Sequence, residues 1–305
     1  MKRVLVVHFS QTGQLTRVKQ RLLSPLAEAS DIELVEEVLR PRTPYPFPWP
    51  LLRFFDTMPE SVQLDPPELE PLRVRPGERF DLIVIAYQVW FLAPAGPITA
   101  FLKSEAGRAL VRGRPVVTLI ACRNMWLNAQ EEMKKLIHDA GGELRDNVAF
   151  TDNAPTMATL FTTPAWLLSG KRDALPGLPP AGVSDAEIAG ADRFGRALLG
   201  ALRADREKSG GPMLAGLGAA RVDPRLIFSE RAARRAFKAW SRIIRLGGRQ
   251  GAIARLPLVA VFCVYLVTMV LAVVPASLLL QRLLRPLLAR RLESQRAYFE
   301  LPSGR

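Results

Sequence analysis

The chain has 305 residues, enough for one main domain with an appendage. At 49% hydrophobic and 23% charged its composition is globular, which excludes a disordered, collagen-like or disulfide-scaffold protein. The formal net charge is +13, but residues 1–207 hold 25 Lys/Arg and 25 Asp/Glu while residues 208–305 hold 17 and 4, so the basic excess belongs entirely to the C-terminal third.

The first apolar run, Val4–Phe9, is too short before the polar Ser10-Gln11-Thr12-Gly13 for a signal peptide, which needs about 7–15 apolar residues. It reads as a strand, followed by a helix over Gln14–Glu28 and a second strand over Ile32–Val38. Residues 40–79 carry two proline-rich runs around a short apolar piece, Leu51–Phe55, a density that denies a regular helix or an interior strand. Strands follow at Leu82–Tyr87, Val116–Ala121 and Glu143–Phe150, with helices at Pro97–Val111 and Asn128–Ala140. Gly141-Gly142 supplies the helix stop before the fifth strand. A second insertion, 153–183, holds the apolar run Met157–Leu168 and a proline-rich end. Long connections with this aromatic content are expected to wall a site. A last helix spans Ser184–Lys208, its start marked by the capping box of Ser184 and Glu187. Short strands alternating with amphipathic helices give an α/β fold with a five-stranded parallel sheet over residues 1–208.

From residue 209 the character changes. Arg231, Arg235, Lys238, Arg242, Arg245 and Arg249 fall on one helical face and Ala233, Phe237, Trp240 and Ile244 on another, which predicts an amphipathic basic helix within 209–255, lying on anionic headgroups. Leu256–Leu280 is 25 residues without a charge, roughly 37 Å of helix, long enough to cross a bilayer core of about 30 Å. Residues 281–305 form a second basic amphipathic stretch. The positive-inside count is a tie: Lys238, Arg242, Arg245, Arg249 and Arg255 precede the span, and Arg282, Arg285, Arg290, Arg291 and Arg296 follow it. A single pass and a re-entrant hairpin kinked at Pro275 both fit, with the chain expected on the cytoplasmic face of the inner membrane. A nucleic-acid-binding helix is the competing reading, and no recognised nucleic-acid module supports it.

Cys122 and Cys263 cannot make a disulfide framework, and with His8 and His138 far apart no metal-ligand spacing exists, so no metal is expected. The sharpest local signal is Ser10-Gln11-Thr12-Gly13-Gln14-Leu15 at a strand-to-helix junction. A helix N-terminus there offers N–H donors and partial positive charge, Gly13 permits close approach, and the hydroxyls add donors. That is a phosphate cradle without the Gly-Lys-Ser/Thr of a P-loop or the repeated glycines of a dinucleotide fingerprint, and it suits a phosphate monoester.

This loop and the order of elements resemble the flavodoxin-like family, a doubly wound sheet of order 2-1-3-4-5 that binds FMN at the carboxyl ends of its strands. Leu15 stands where the family pattern has a final Thr, with Thr16 a neighbouring substitute. Trp90-Phe91-Leu92-Ala93-Pro94 is similar to the Trp-Phe-x-x-Pro loop of the flavodoxin-like quinone reductases, which implies contact of Tyr87, Trp90 and Phe91 with the isoalloxazine ring. Cys122, Arg123 and Asn124 fall at the family's third flavin loop, where Arg123 or Asn124 would meet the pyrimidine edge. The passages Arg40–Pro50, Phe54–Val62, Tyr87–Lys103, Cys122–Leu127 and Gly216–Ser229, with the apolar C-terminal segment, resemble a narrower bacterial group, the dialkylresorcinol condensing enzymes.

Condensation by a thiolase-like route needs an activated Cys with His partners, which Cys122 lacks. Flavin chemistry fits better: a dialkyl cyclohexanedione loses two hydrogens to become a resorcinol, a hydride going to the flavin and a proton to a base, for which Tyr87, Asp152 and His8 are the candidates. The expected enzyme is therefore a membrane-associated, flavin-dependent oxidoreductase with FMN and a lipidic substrate. The alternatives are an NAD(P)H:quinone reductase, which adds NAD(P)H as a cofactor, a flavodoxin-like electron carrier, and a flavin-free scaffold. A homodimer is a further expectation; a nucleic-acid partner is not.

Overall fold

The computed structural model describes residues 1–273 and 292–303. In chain order the elements are β1 Lys2–His8, α1 Gln14–Ala27, β2 Ile32–Val38, α2 Leu51–Asp56, α3 Met58–Gln63, β3 Leu82–Tyr87, β4 Val89–Trp90, β5 Ala93–Pro94, α4 Gly96–Lys103, α5 Glu105–Val111, β6 Pro115–Cys122, α6 Leu127–Asp139, β7 Glu143–Thr151, α7 Thr156–Ser169, α8 Asp185–Ala189, α9 Asp192–Arg203, α10 Pro224–Arg245 and α11 Leu256–Thr268. Five strands form one parallel sheet in the order β2-β1-β3-β6-β7, the expected 2-1-3-4-5 with the small antiparallel β4-β5 hairpin interposed.

The period-2 pleat explains the two-layer core. Val4, Val6, Leu82 and Val84 face α1 and α9, while Leu5, Val7, Ile83 and Ile85 face the α4 and α6 side. Both faces being covered, all six residues of β3 are buried. α1 contributes Leu15, Val18, Leu22 and Leu26 at helical spacing, each burial stabilising by about 1.5–3 kcal/mol. α9 packs so closely on α1 that a Cβ on Gly195 would stand 1.8 Å from the Leu22 carbonyl oxygen.

Several elements are more broken than their patterns predict. The helix expected over Pro97–Val111 divides at Ser104, whose Oγ accepts from Gly107 N and starts α5. The helix expected over Ser184–Lys208 is α8, α9 and a 3-10 turn at Arg206–Lys208. Ser184 caps it as anticipated, accepting from Glu187 N at 3.2 Å, but the Glu187 carboxylate goes to Asn153. Prolines do not suppress helix throughout 40–79: the apolar piece and the residues after it form α2 and α3, with Pro59 in the first turn of α3, where it removes no bond. Met157–Leu168, expected as loop, is helix α7 despite Pro164.

α10 is longer than the basic pattern and is held on the domain. Its apolar residues Ile244, Phe237 and Trp240 pack on α3 and α11, while Lys238, Arg242 and Arg249 remain exposed. Gln63 Nε2 donates to Ser241 Oγ at 2.6 Å, and Arg245 pairs with Asp65. Among the described residues one helical stretch, Ile253–Ala272, is long and apolar enough to cross a membrane, with a mean hydropathy of 2.2. The remainder of the apolar run, with Pro275, and residues 281–291 of the basic tail lie outside the described residues.

Candidate functional site

Three loops meet at the carboxyl ends of β1, β3 and β6, the edge where open α/β sheets bind ligands. The first runs from Phe9 to Gly13. Gly13 takes a left-handed φ of 77° and has no side chain to cap α1, so beyond Gln14 N, which donates to Thr12 Oγ1, the first-turn N–H groups have no intrahelical partner. Ser10 Oγ is buried with no hydrogen-bond partner, and Thr12 Oγ1 lies 3.4 Å from Gln14 N. A buried hydroxyl without a partner is costly unless a ligand or water completes it. Gln11 is tied at both ends: its N–H donates to Gln88 Oε1 at 3.1 Å and its Nε2 to Pro46 O at 2.8 Å. Gln14 and Leu15 turn away from the loop. The Gln14 amide faces Val183 O and Gly182, and Leu15 is fully buried among the sheet's apolar residues. Of the six loop residues, Ser10, Thr12 and Gly13 therefore shape the cradle with side chain or backbone, and Leu15 contributes only its backbone.

The second loop is the β4-β5 hairpin. Its two tip residues, Phe91 and Leu92, both have positive φ, 50° and 61°. A two-residue hairpin turn matching strand twist favours Asn or Gly there, so a Phe-Leu pair stores strain. Packing holds it: the Phe91 ring stands 4.9 Å from Phe54, 6.1 Å from Phe55 and 6.2 Å from Phe237. Trp90 sits in an aromatic box with Phe9 at 5.8 Å, Tyr45 at 4.9 Å and Trp49 at 6.0 Å. Tyr45 and Trp49 come from the proline-rich segment, which patterning marked only as a wall. Burial pushes the Tyr45 phenol up to about 12, with the charge of Glu60 as a second cause, so it stays protonated. Trp49 Nε1, Thr162 Oγ1 and Thr163 Oγ1 are further buried polar atoms without partners. α7 joins this wall through Trp49 N donating to Leu167 O at 2.8 Å.

Tyr87 is brought to the end of β3 but turned inward. It has no exposed surface, and its hydroxyl donates to Gln130 Oε1 at 2.7 Å; Gln130 Nε2 continues to Thr118 Oγ1 at 3.1 Å. Desolvation raises its pKa well above the ordinary phenol value, with smaller contributions from Cys122 and Glu230. Asp152 spends both carboxylate oxygens on the chain, accepting from Ala154 N at 2.9 Å and Gly182 N at 2.8 Å. It staples the second insertion to β7 and also lines the cavity described below. His8 is buried with Nδ1 unpartnered; burial first, then Lys19, lowers its pKa to about 4, which keeps it neutral.

The third loop, Cys122–Trp126, borders a cavity of about 200 Å³ lined by Asn124, Asp152, Arg221, Arg225 and Glu230. Arg123 reaches Asn124 Oδ1 at 3.2 Å. Burial drives the Cys122 thiol far above its usual range, and the neighbouring Glu230 charge adds to that, so it is not a thiolate nucleophile. Glu230, on α10, was not among the candidates read from the sequence. Its Oε1 accepts from Asn128 N at 2.6 Å and Asn128 Nδ2 at 3.1 Å, capping α6 where Trp126 has no capping side chain. Its Oε2 is buried without a partner, and desolvation pushes the carboxyl up to about 7 despite those two bonds. Only the fold brings residue 230 beside residue 122, so no local pattern could have found it.

No protein-family model matches the chain, and no curated protein matches it. Solved structures similar to it include a flavoprotein in complex with FMN from Lactobacillus acidophilus, 18% identical with a TM-score of 0.40, covering 49% of this chain and 93% of that one. A flavodoxin from the domain Archaea is 9% identical with a TM-score of 0.36, over 66% and 99% of the two chains. The Trp repressor binding protein of Bacillus subtilis is 10% identical with a TM-score of 0.32, over 63% and 98%. Sheet order, crossover helices and the loop edge define the class: the parallel sheet β2-β1-β3-β6-β7 with its helices has the flavodoxin-like fold.

Proposed function

We propose that the protein is a membrane-associated, FMN-binding oxidoreductase that removes two hydrogens from a dialkyl cyclohexanedione to give the resorcinol. The observation that carries this reading is Ser10 Oγ, buried and unpartnered just before the N-terminus of α1, whose N-cap Gly13 has no side chain. A phosphate monoester would satisfy that hydroxyl and the free N–H groups together. Thr12 and Gly13 would complete the phosphate site, and Trp90, Asn124 and Arg123 would flank the ring system. The flavodoxin-like sheet order, whose loop edge suits FMN, and the resemblance of the passages named above to the dialkylresorcinol group support the reading. FMN supplies a two-electron acceptor when bound.

The chain's own part is to hold the diketone ring and take its proton. Glu230 Oε2 is the fitting acceptor: it lines the cavity, has no partner, and its carboxyl is half protonated near neutrality. The exposed apolar residues Met157, Phe161 and Leu168 of α7 suit the alkyl chains.

Visible absorption of the detergent-extracted protein, with acid release of the chromophore, tests the reading. Stoichiometric FMN and conversion of cyclic diones to resorcinols are expected. A colourless protein that takes up no added FMN would sink it, and turnover of NADPH with quinones would assign a quinone reductase instead.

A further inference from the structure

We infer that the apolar C-terminal segment does not cross the membrane but enters and leaves it on one side, making the protein a monotopic hairpin-anchored protein seated on a lipid leaflet. The inference rests on the membrane half of the proposed function and is independent of the flavin.

The first argument is how α11 leaves the domain. Arg255, just before it, is fully buried; its guanidinium bonds Glu60 at 2.9 and 3.0 Å and the Asp56 carbonyl at 3.3 Å, and Nε lies 2.9 Å from Asp56 Oδ1. Asp56 also accepts from Gly251 N at 2.7 Å. The following turns are fastened down: Val259 and Phe262 are buried against Met58, Val62 and Ile244, and Tyr265 and Leu266 pack on the same cluster. Of the uncharged run only Val267–Leu280, 14 residues, lies beyond that cluster, roughly 21 Å even if wholly helical against a hydrocarbon core of about 30 Å. A helix whose first turns are fixed to the folded domain has too little free length to span.

The second argument is where the chain comes back. Residues 292–300 are helical, and their end is built into the same domain. Phe299 is buried in the β3-β6 core layer, the Tyr298 hydroxyl donates to Glu131 at 3.0 Å, and Ser303 Oγ accepts from Asn147 N at 2.7 Å while donating to buried Asp146 Oδ1 at 2.8 Å. A tail docked on β7 cannot be on the far side of a bilayer from the sheet. Residues 274–291 are chain enough to return, since even helical they reach roughly 27 Å.

The occupant of this surface is lipid. Leu256, Val261, Val264, Val267 and Leu271 expose one apolar side of α11, Leu51 and Leu52 of α2 are exposed beside it, and Leu246 and Ile253 on the connecting turn are 84% and 82% exposed. Exposed Arg242 and Arg249 stand near that turn. The equal count of basic residues before and after the span gives a single pass no orientation, and a hairpin with both ends on one side needs none.

The test uses the full chain in sealed inner-membrane vesicles of known orientation, with Cys122→Ala and Cys263→Ala and a single reporter, Lys238→Cys or Ser294→Cys. A membrane-impermeant maleimide is expected to label both reporters from the same side, and alkaline carbonate to leave the protein in the membrane. Labelling from opposite sides would overturn the hairpin while leaving membrane attachment standing. A protein released by carbonate, or soluble as a dimer with α11 covered by a second copy, would overturn the hairpin and the anchor together. Bound FMN, read from the unsubstituted protein, reports on the flavin separately.

Discussion

At the scale of single residues, Ser10, His8 and Glu230 make separable predictions. Replacing Ser10 with Ala removes the buried hydroxyl; a hydrogen bond to a charged group contributes about 1.5–3 kcal/mol, so FMN affinity should fall on the order of tenfold to a hundredfold, read by fluorescence titration. Thermal stability of the apoprotein should hold or rise, because the lost oxygen has no partner in the chain. His8 and Glu230 set opposing pH dependences. Glu230 ionises at about 7 in the fold and near 4.5 when unfolded. Between those values the unfolded chain carries fewer protons, so its contribution to stability is full below pH 4.5 and lost as pH rises through 7. His8 titrates at about 4 in the fold and 6.5 unfolded, so its contribution is present above 6.5 and lost as pH falls toward 4. The two nearly cancel from about pH 4.5 to 6.5. Urea midpoints of Glu230→Gln, whose amide oxygen still caps α6, should therefore rise with pH across that window, and those of His8→Gln should fall. Parallel slopes in the two variants would refute the assignment.

At the scale of elements, two junctions decide stability. α1 and α9 approach at Gly195 with no room for a methyl group, so Gly195→Ala should destabilise by about 1–3 kcal/mol through overpacking even though alanine favours helix. At the start of α11, Arg255 neutralises Asp56 and Glu60. Arg255→Met strands a buried carboxylate, and a loss of about 3–5 kcal/mol is expected, with faster amide exchange in α2, α3 and α11 while the parallel sheet keeps its protection. Uniform loss of protection would show that the helices and the sheet unfold as one unit. The β4-β5 hairpin runs the other way: Leu92→Gly removes backbone strain at φ 61° but also a buried side chain, and the balance is read as the change in unfolding midpoint.

At the scale of the molecule, the described parts of the C-terminal third pack on the parallel-sheet body. α10 caps α6 through Glu230, lays its apolar face on α3 and α11, and the last described residues close on β7. Deleting residues 292–305 should cost about 3–5 kcal/mol, because it unburies the Phe299 site and leaves Asp146 without the Ser303 hydroxyl. A truncated protein with unchanged denaturant midpoint would mean that the tail contributes no net stability.

What the sequence determined by itself is whatever local periodicity encodes. β2 and β3 fall on their expected residues, α1 and α6 within a residue of theirs, and the sheet order follows from alternating apolar runs and amphipathic helices. The cradle at Ser10–Gly13 was legible because its chemistry lies in consecutive residues at one strand end. Side-chain direction was not. Tyr87 and Leu15 face inward, and Asp152 accepts from the backbone N–H groups of Ala154 and Gly182, because burial and hydrogen-bond partners depend on segments distant in the chain. The same reason hid the Tyr45–Trp49–Trp90 box and Glu230 beside Cys122. The fate of the apolar segment was likewise undecided by its own composition, since a single pass and a hairpin share length and hydropathy. Only the tertiary contacts of Arg255 at one end and Ser303 at the other separate them, because topology is set by where the ends of a segment are held and not by the segment itself.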